Sequence, residues 1–232
     1  MKRLRTAIRD MLREIPIDDG GGCSVSKAYL MAYLIRRYDM RSTLDIGVYR
    51  GRSLFPQALA HSRYTGGVSY GVDPWDTSEA VEHDNPKLQE VLDRIIATTD
   101  FQAIFESVAS FRSRMGFDGH CVLIRKTSSE ASSFFREGDI TFDLIHVDGN
   151  HDAGRVTEDL RLYLPRLRPN GFLVMDDISW DSIRPSYERL RSSMHLLYER
   201  IDGANDYAVF RAGGSTGERA MLKATLRVVG RK

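Results

Sequence analysis

The chain has 232 residues, 42% of them hydrophobic and 28% charged, with a formal net charge of +1; that is enough for one full core with small appendages. Residues 1–13 hold five Lys/Arg against Asp10 and residues 212–232 hold five against Glu218, leaving 23 basic and 30 acidic residues for the body, the reverse of a nucleic-acid binder with its positive folded face. No apolar run approaches the roughly 20 residues of a membrane span and no signal-peptide pattern opens the chain, so a cytoplasmic protein is expected, while Cys23 and Cys121 alone support neither a disulfide framework nor a zinc site.

Residues 2–15 place Leu4, Ile8, Met11, Leu12 and Ile15 at helical spacing with arginines opposite, an amphipathic helix for the body or a partner subunit. Asp18-Asp19-Gly20-Gly21-Gly22 breaks it, and a second helix follows through Ala28, Leu30, Met31, Leu34 and Ile35. Residues 1–40 thus read as a helical appendage, 41–212 as the main domain, and 213–232 as a basic tail, either flexible or a dimer arm. Homo-oligomerisation stays open.

The strand Ser42–Ile46 runs into Gly47-Val48-Tyr49-Arg50-Gly51-Arg52-Ser53 and then helical Leu54, Ala58 and Leu59. A strand, a glycine turn and a helix start let a ligand approach the backbone and meet unpaired N–H groups. A second strand, Val68–Asp73, ends in a carboxylate placed to accept ribose hydroxyls, with a turn or cap before Pro74 as the plain alternative. In 74–119, Leu88, Val91, Leu92, Ile95 and Ile96 form one helical face, and Phe101, Ile104, Phe105, Val108 and Phe111 another. Trp75 either shields a ligand or packs. The strand Cys121–Arg125 leads to Thr127-Ser128-Ser129-Glu130, the kind of string that commonly caps helices.

The most informative stretch is Asp143-Leu144-Ile145-His146-Val147-Asp148-Gly149-Asn150-His151 with its echo Gly171-Phe172-Leu173-Val174-Met175-Asp176-Asp177. Each is a short apolar run ending in carboxylates, as where buried parallel strands leave a sheet. Between them Val156, Leu160, Tyr163, Leu164 and Leu167 share a helical face. The crossover returns the second strand parallel to the first, so Asp148, Asp176 and Asp177 reach one edge. Three carboxylates there need a compensating cation or shared protons; Mg²⁺ suits such an oxygen donor set. After a helix start at Trp180–Tyr187, the strands His195–Arg200 and Tyr207–Arg211 flank the hairpin signal Asp202-Gly203-Ala204-Asn205.

The string Asp45–Ser53 resembles the first motif of class I S-adenosylmethionine-dependent methyltransferases, with Tyr49 and Ser53 similar to catechol O-methyltransferase. Val147-Asp-Gly-Asn-His151 and Met175-Asp-Asp177 are similar to macrolide sugar O-methyltransferases. The resemblance spans Ser42 to Ile178. It implies a Rossmann-like, doubly wound, seven-stranded and mostly parallel α/β sheet with a C-terminal antiparallel hairpin. It also implies S-adenosylmethionine as cofactor: Asp45 supports the amino-acid end, Gly47 and Gly51 allow close approach, Tyr49 and Ser53 line the amino-acid pocket, Asp73 holds the ribose and Ser128 contacts adenine. The implied reaction is divalent-metal-dependent O-methylation of a small hydroxylated molecule, a sugar or other natural product. Asp148, Asp176 and Asp177 would bind Mg²⁺, and His151 would be the general base, its proton affinity lowered by the nearby cation. Asp176-Asp177 departs from the Asp-Asn of the catechol enzymes. The alternatives are a hydroxylase-like or N-methylating relative on the same scaffold, and a nucleotide-binding protein that is not a methyltransferase.

Overall fold

The computed structural model describes residues 2–17, 22–86, 89–203 and 206–230. The expected break at Asp18–Gly21, the helical position Leu88 and the hairpin tip Ala204-Asn205 lie outside the described residues, as does the side chain of Leu92. In chain order the helices are α1 (Lys2–Arg13), α2 (Val25–Arg37), α3 (Leu54–Ala60), α4 (Gln89–Thr98), α5 (Phe101–Arg114), α6 (Ser128–Glu137), α7 (Ala153–Tyr163), α8 (Arg184–Ser193) and α9 (Thr216–Gly230). The strands are β1 (Ser42–Ile46), β2 (Val68–Asp73), β3 (Cys121–Arg125), β4 (Phe142–Val147), β5 (Leu167–Asp176), β6 (His195–Arg200) and β7 (Tyr207–Arg211). Among the described residues no helix is long and apolar enough to cross a membrane.

The seven strands form one sheet in the order β3-β2-β1-β4-β5-β7-β6. The first five run parallel, and β7 inserts antiparallel between β5 and β6. This is the doubly wound, seven-stranded sheet with a terminal hairpin that the sequence led us to expect. The order reverses beside β1, so the carboxyl ends of β1 and β4 open a crevice where such sheets bind ligands.

Successive strand residues point to opposite faces, and the core splits accordingly. Leu144, Phe172, Val174 and Val209 pack with α1, α2, α3, α5 and α9. Leu44, Ile46, Ile145, Val147, Leu173, Met175 and Phe210 face α6, α7 and α8. α1 and α2 are therefore built into one layer: Ile8, Ala28, Leu30, Met31, Leu34 and Ile35 are fully buried. The C-terminal stretch is a helix too, with Leu222, Leu226 and Val229 buried in that same layer. Ser24 caps α2 by accepting from the Lys27 amide, and Asp100 caps α5 through Ala103.

One boundary differs from the periodic reading. Leu164 and Leu167 continue the apolar face of α7, yet α7 ends at Tyr163, a 3₁₀ turn covers Leu164–Arg166, and Leu167 opens β5 opposite Phe142. Pro165 sits in that turn and cannot supply the N–H that a continuing helix needs. Trp75 packs: it is buried against Phe105 with ring centroids 5.0 Å apart, and its indole N–H donates to the Tyr49 carbonyl at 2.8 Å.

Because α2 is a structural layer, truncating Leu30 to Ala should cost about 2–5 kcal/mol, as for a large buried aliphatic side chain. Denaturant unfolding of the full chain measures this. A loss near zero would mean that α2 is dispensable to the core.

Candidate active site

Strand alternation decides which acids meet. Leu44 and Ile46 face one layer, so Asp45 between them faces the other; likewise His146 and Asp148 follow Leu144, and Asp176 follows Val174, onto the α2 side. There Asp45 Oδ1 lies 2.6 Å from His146 Nδ1, and His146 Nε2 lies 3.2 Å from Asp176 Oδ1. Asp45 Oδ2 also accepts from Gln57 Nε2 at 3.2 Å. Asp45 and His146 are fully buried. Lys27 of α2 completes the row: its ammonium pairs with Asp176 Oδ2 and stands 3.5 Å from Asp148 Oδ2, with the residue only 4% exposed. Burial alone would lower the proton affinity of Lys27, and the charges of Asp148, Cys23, Asp177 and Asp45 together more than offset that, leaving it raised.

Asp177 goes the other way. It is the first residue beyond β5 and adopts φ +52°, a left-handed conformation that costs energy for a residue with a side chain. Its amide donates to the Asp206 carbonyl at 2.6 Å. Its Oδ2 lies 3.0 Å from His151 Nε2, near enough for an ion pair although off the line of a hydrogen bond. His151 Nδ1 meets Glu82 Oε1 at 2.6 Å, and the ring packs on Trp180 at 4.5 Å between centroids. Burial would push the His151 imidazole down, but Asp177 and then Glu82 outweigh it and hold it well above its ordinary value. Both carboxylates beside the ring favour its charged form.

Metal-ligating groups therefore fall into two clusters among the described residues, His146/Asp148/Asp176 and Asp148/His151/Asp177, sharing Asp148. The three expected carboxylates do not face one point, because adjacent residues at a strand end diverge.

A cavity of about 500 Å³ runs along this edge. Of the residues singled out in the sequence, Gly47, Tyr49, Ser53, Asp73, Ser128, Asp148, His151, Asp176 and Asp177 line it, while Asp45 and Gly51 lie behind its wall. Asp73 accepts from the amides of Tyr49 (2.8 Å) and Trp75 (2.7 Å), and burial nevertheless raises its proton affinity. Tyr49 takes φ +47°, a second strained position on the wall. At Gly47 (φ +84°) a Cβ would fall 1.8 Å from the Asp148 carbonyl oxygen, so this glycine lets the β1 and β4 ends cross closely. At Gly51 a Cβ would strike the Phe55 ring at 2.3 Å. Thr127, with Glu130, forms the capping box of α6, which leaves the Ser128 side chain to bond Asp159, a buried acid pushed up to about 6 by burial.

Sequence reasoning missed Lys27, Glu82, His146, Asp159 and Trp180. Two had a signal. Lys27 occupies the same helical stripe as Leu30, Met31 and Leu34, where a lysine must be buried, and His146 interrupts an apolar strand run. Glu82 gave none, since it reaches His151 on a loop outside any periodic element.

The chain's residues 44–178 match a family model described as a methyltransferase domain. No curated protein sequence matches significantly. Among solved structures, the fold resembles an O-methyltransferase from Bacillus cereus in complex with SAH, with TM-score 0.62 and 13% identity over 90% of this chain and 91% of that one. It also resembles the O-methyltransferase TomG from Streptomyces achromogenes, involved in tomaymycin synthesis and in complex with SAM, with TM-score 0.62 and 17% identity over 91% and 90%. With more than half of its length matched by that model, this chain belongs to the methyltransferase domain family.

Proposed function

We propose that the enzyme transfers a methyl group from S-adenosylmethionine to a hydroxyl of a small molecule. The observation that carries this reading is one continuous cavity in which Tyr49, Ser53, Asp73 and Ser128 share walls with Asp148, His151 and Asp177. The two O-methyltransferases of like fold hold SAH and SAM, which supports the same ligand here. The residues fit it. The cavity is of ordinary ligand size, and a carboxylate offers about four acceptor positions, so Asp73 keeps capacity for a ribose hydroxyl beyond its backbone bonds. Ser128 would meet the adenine, and Tyr49 and Ser53 the amino-acid end, while Asp45 would act from behind the wall through the β1 end.

Bound there, S-adenosylmethionine supplies an electrophilic methyl group; the chain's part is alignment and proton handling. Val91, Ile95, Ile96, Phe101 and Trp180 give the cavity an apolar wall facing the polar end, which suits a small, partly apolar acceptor. His151 would take the hydroxyl proton at Nε2, the nitrogen without an in-line hydrogen bond. To do so the imidazole must first shed the proton that Asp177 and Glu82 favour. The divalent cation expected at Asp148, Asp176 and Asp177 would have to share Asp148 and Asp176 with the Lys27 ammonium. Between Asp148 and Asp176 the folded residues leave it no place, because the ammonium already fills it.

Asp73→Asn should weaken S-adenosylmethionine binding by about 1–3 kcal/mol, the cost of unmatched polar partners. Calorimetry on the folded variant tests this, and unchanged affinity would remove the ribose assignment.

For His151 the sign follows from its raised proton affinity. The base form grows as pH rises through a value above the ordinary 6.5 or so, so single-turnover rates at saturating acceptor should climb on the alkaline side of neutrality. His151→Ala should lower the rate by roughly 10²–10⁴-fold and flatten that limb. A variant with the parent rate and pH profile would rule the base role out.

A further inference from the structure

We propose that Lys27 is the resident cation of the acceptor end: its ammonium takes the place between Asp148 and Asp176 that a divalent ion bound there would need, and so excludes such an ion from that position. The inference rests on the reading of this cavity as a methyl-transfer site and assigns the charge compensation within it.

Three observations support it. Lys27 is delivered by α2, a fully packed layer whose Ala28, Leu30 and Met31 are 0% exposed, so the ammonium is placed by the core and not by a mobile surface arm. Its Nζ reaches both carboxylates, pairing with Asp176 Oδ2 and standing 3.5 Å from Asp148 Oδ2, which are two of the three expected ion ligands. The remaining oxygen of Asp176 faces His146, leaving Asp176 no oxygen clear of a partner. A divalent ion placed among these groups would meet a fixed positive charge at close range, where repulsion in a poorly solvated site is strong. Lys27 lines the cavity but acts through Asp148 and Asp176, holding them in place and balancing their charge; it is a positioning residue.

The test reads ion binding independently of catalysis. Mn²⁺ is titrated into the full chain by electron paramagnetic resonance, with S-adenosylhomocysteine present and absent, in parallel with Lys27→Met and with Lys27→Met/Asp176→Asn. Removing the ammonium should uncover the carboxylates and tighten Mn²⁺ binding at least about tenfold, and adding Asp176→Asn should abolish that gain. A gain below tenfold, or one that survives Asp176→Asn, overturns the proposal. Should Lys27→Met fail to fold by circular dichroism, the wild-type chain decides through Asp176→Asn, since Asp148 also serves the cluster with His151 and Asp177. Mn²⁺ affinity within about tenfold of the parent upholds a site already filled by Lys27, and a greater loss shows that the ion sits there and sinks it. Calorimetry of S-adenosylhomocysteine on the wild-type chain reports separately on the cofactor reading: its failure would leave the Mn²⁺ comparison intact, and the reverse holds as well.

Discussion

The constraint on which the rest depends is the burial of like charge at the carboxyl edge of the sheet. Asp45 is fully enclosed and Asp176 nearly so, and isolated carboxylates in such surroundings are costly unless paired and hydrogen-bonded. The pairing comes from two sources that only the folded chain unites. His146 bridges Asp45 and Asp176 from within the sheet, and Lys27 closes the row from a helix more than a hundred residues away in sequence from Asp148. Removing either would leave the buried Asp176 with one partner fewer, so the geometry of β1, β4 and β5 at this edge and the seating of α2 are one problem. This is why the N-terminal helices are integral to the enzyme.

The second organising feature is where the backbone is strained. Tyr49, Trp75 and Asp177 are all held at positive φ, and all three flank the junction between strand ends and the cavity. Each is fixed by hydrogen bonds: the Tyr49 and Trp75 amides to Asp73, and the Asp177 amide to the Asp206 carbonyl. Such strain persists where surroundings over-determine it, and it gathers at functional sites. At Asp177 it separates two neighbouring carboxylates onto different partners, Lys27 with Asp176 and His151 with Asp177. A pair that looks equivalent in the chain therefore does two jobs.

The glycines of the first loop make a related point. Gly47 and Gly51 were expected to admit a cofactor, yet the atoms nearest their missing side chains are the Asp148 backbone and the Phe55 ring. Their immediate need is internal: the loop must pass close to the β4 end and to α3. A glycine pattern in the sequence carries both explanations, and only coordinates show which neighbour occupies the space.

Much of the fold is written in local pattern. Apolar runs with carboxylate ends marked β2, β4 and β5, a strand running into a glycine turn marked β1, helical stripes marked α1, α2, α4, α5 and α7, and the flanked turn marked the β6/β7 hairpin, because period and turn chemistry act over neighbouring residues. The parallel crossover rule then carried Asp148, Asp176 and Asp177 to one edge without any coordinates. What tertiary structure alone decided is who faces whom there. Lys27 belongs to a helix whose docking angle no local pattern specifies, Glu82 arrives on a loop without periodicity, and strand alternation combined with the turn at Asp177 divides the acids between two faces. Charge compensation is a contact between distant segments, so the sequence determined that the acids converge, and the packed layers determined that a lysine and a histidine meet them.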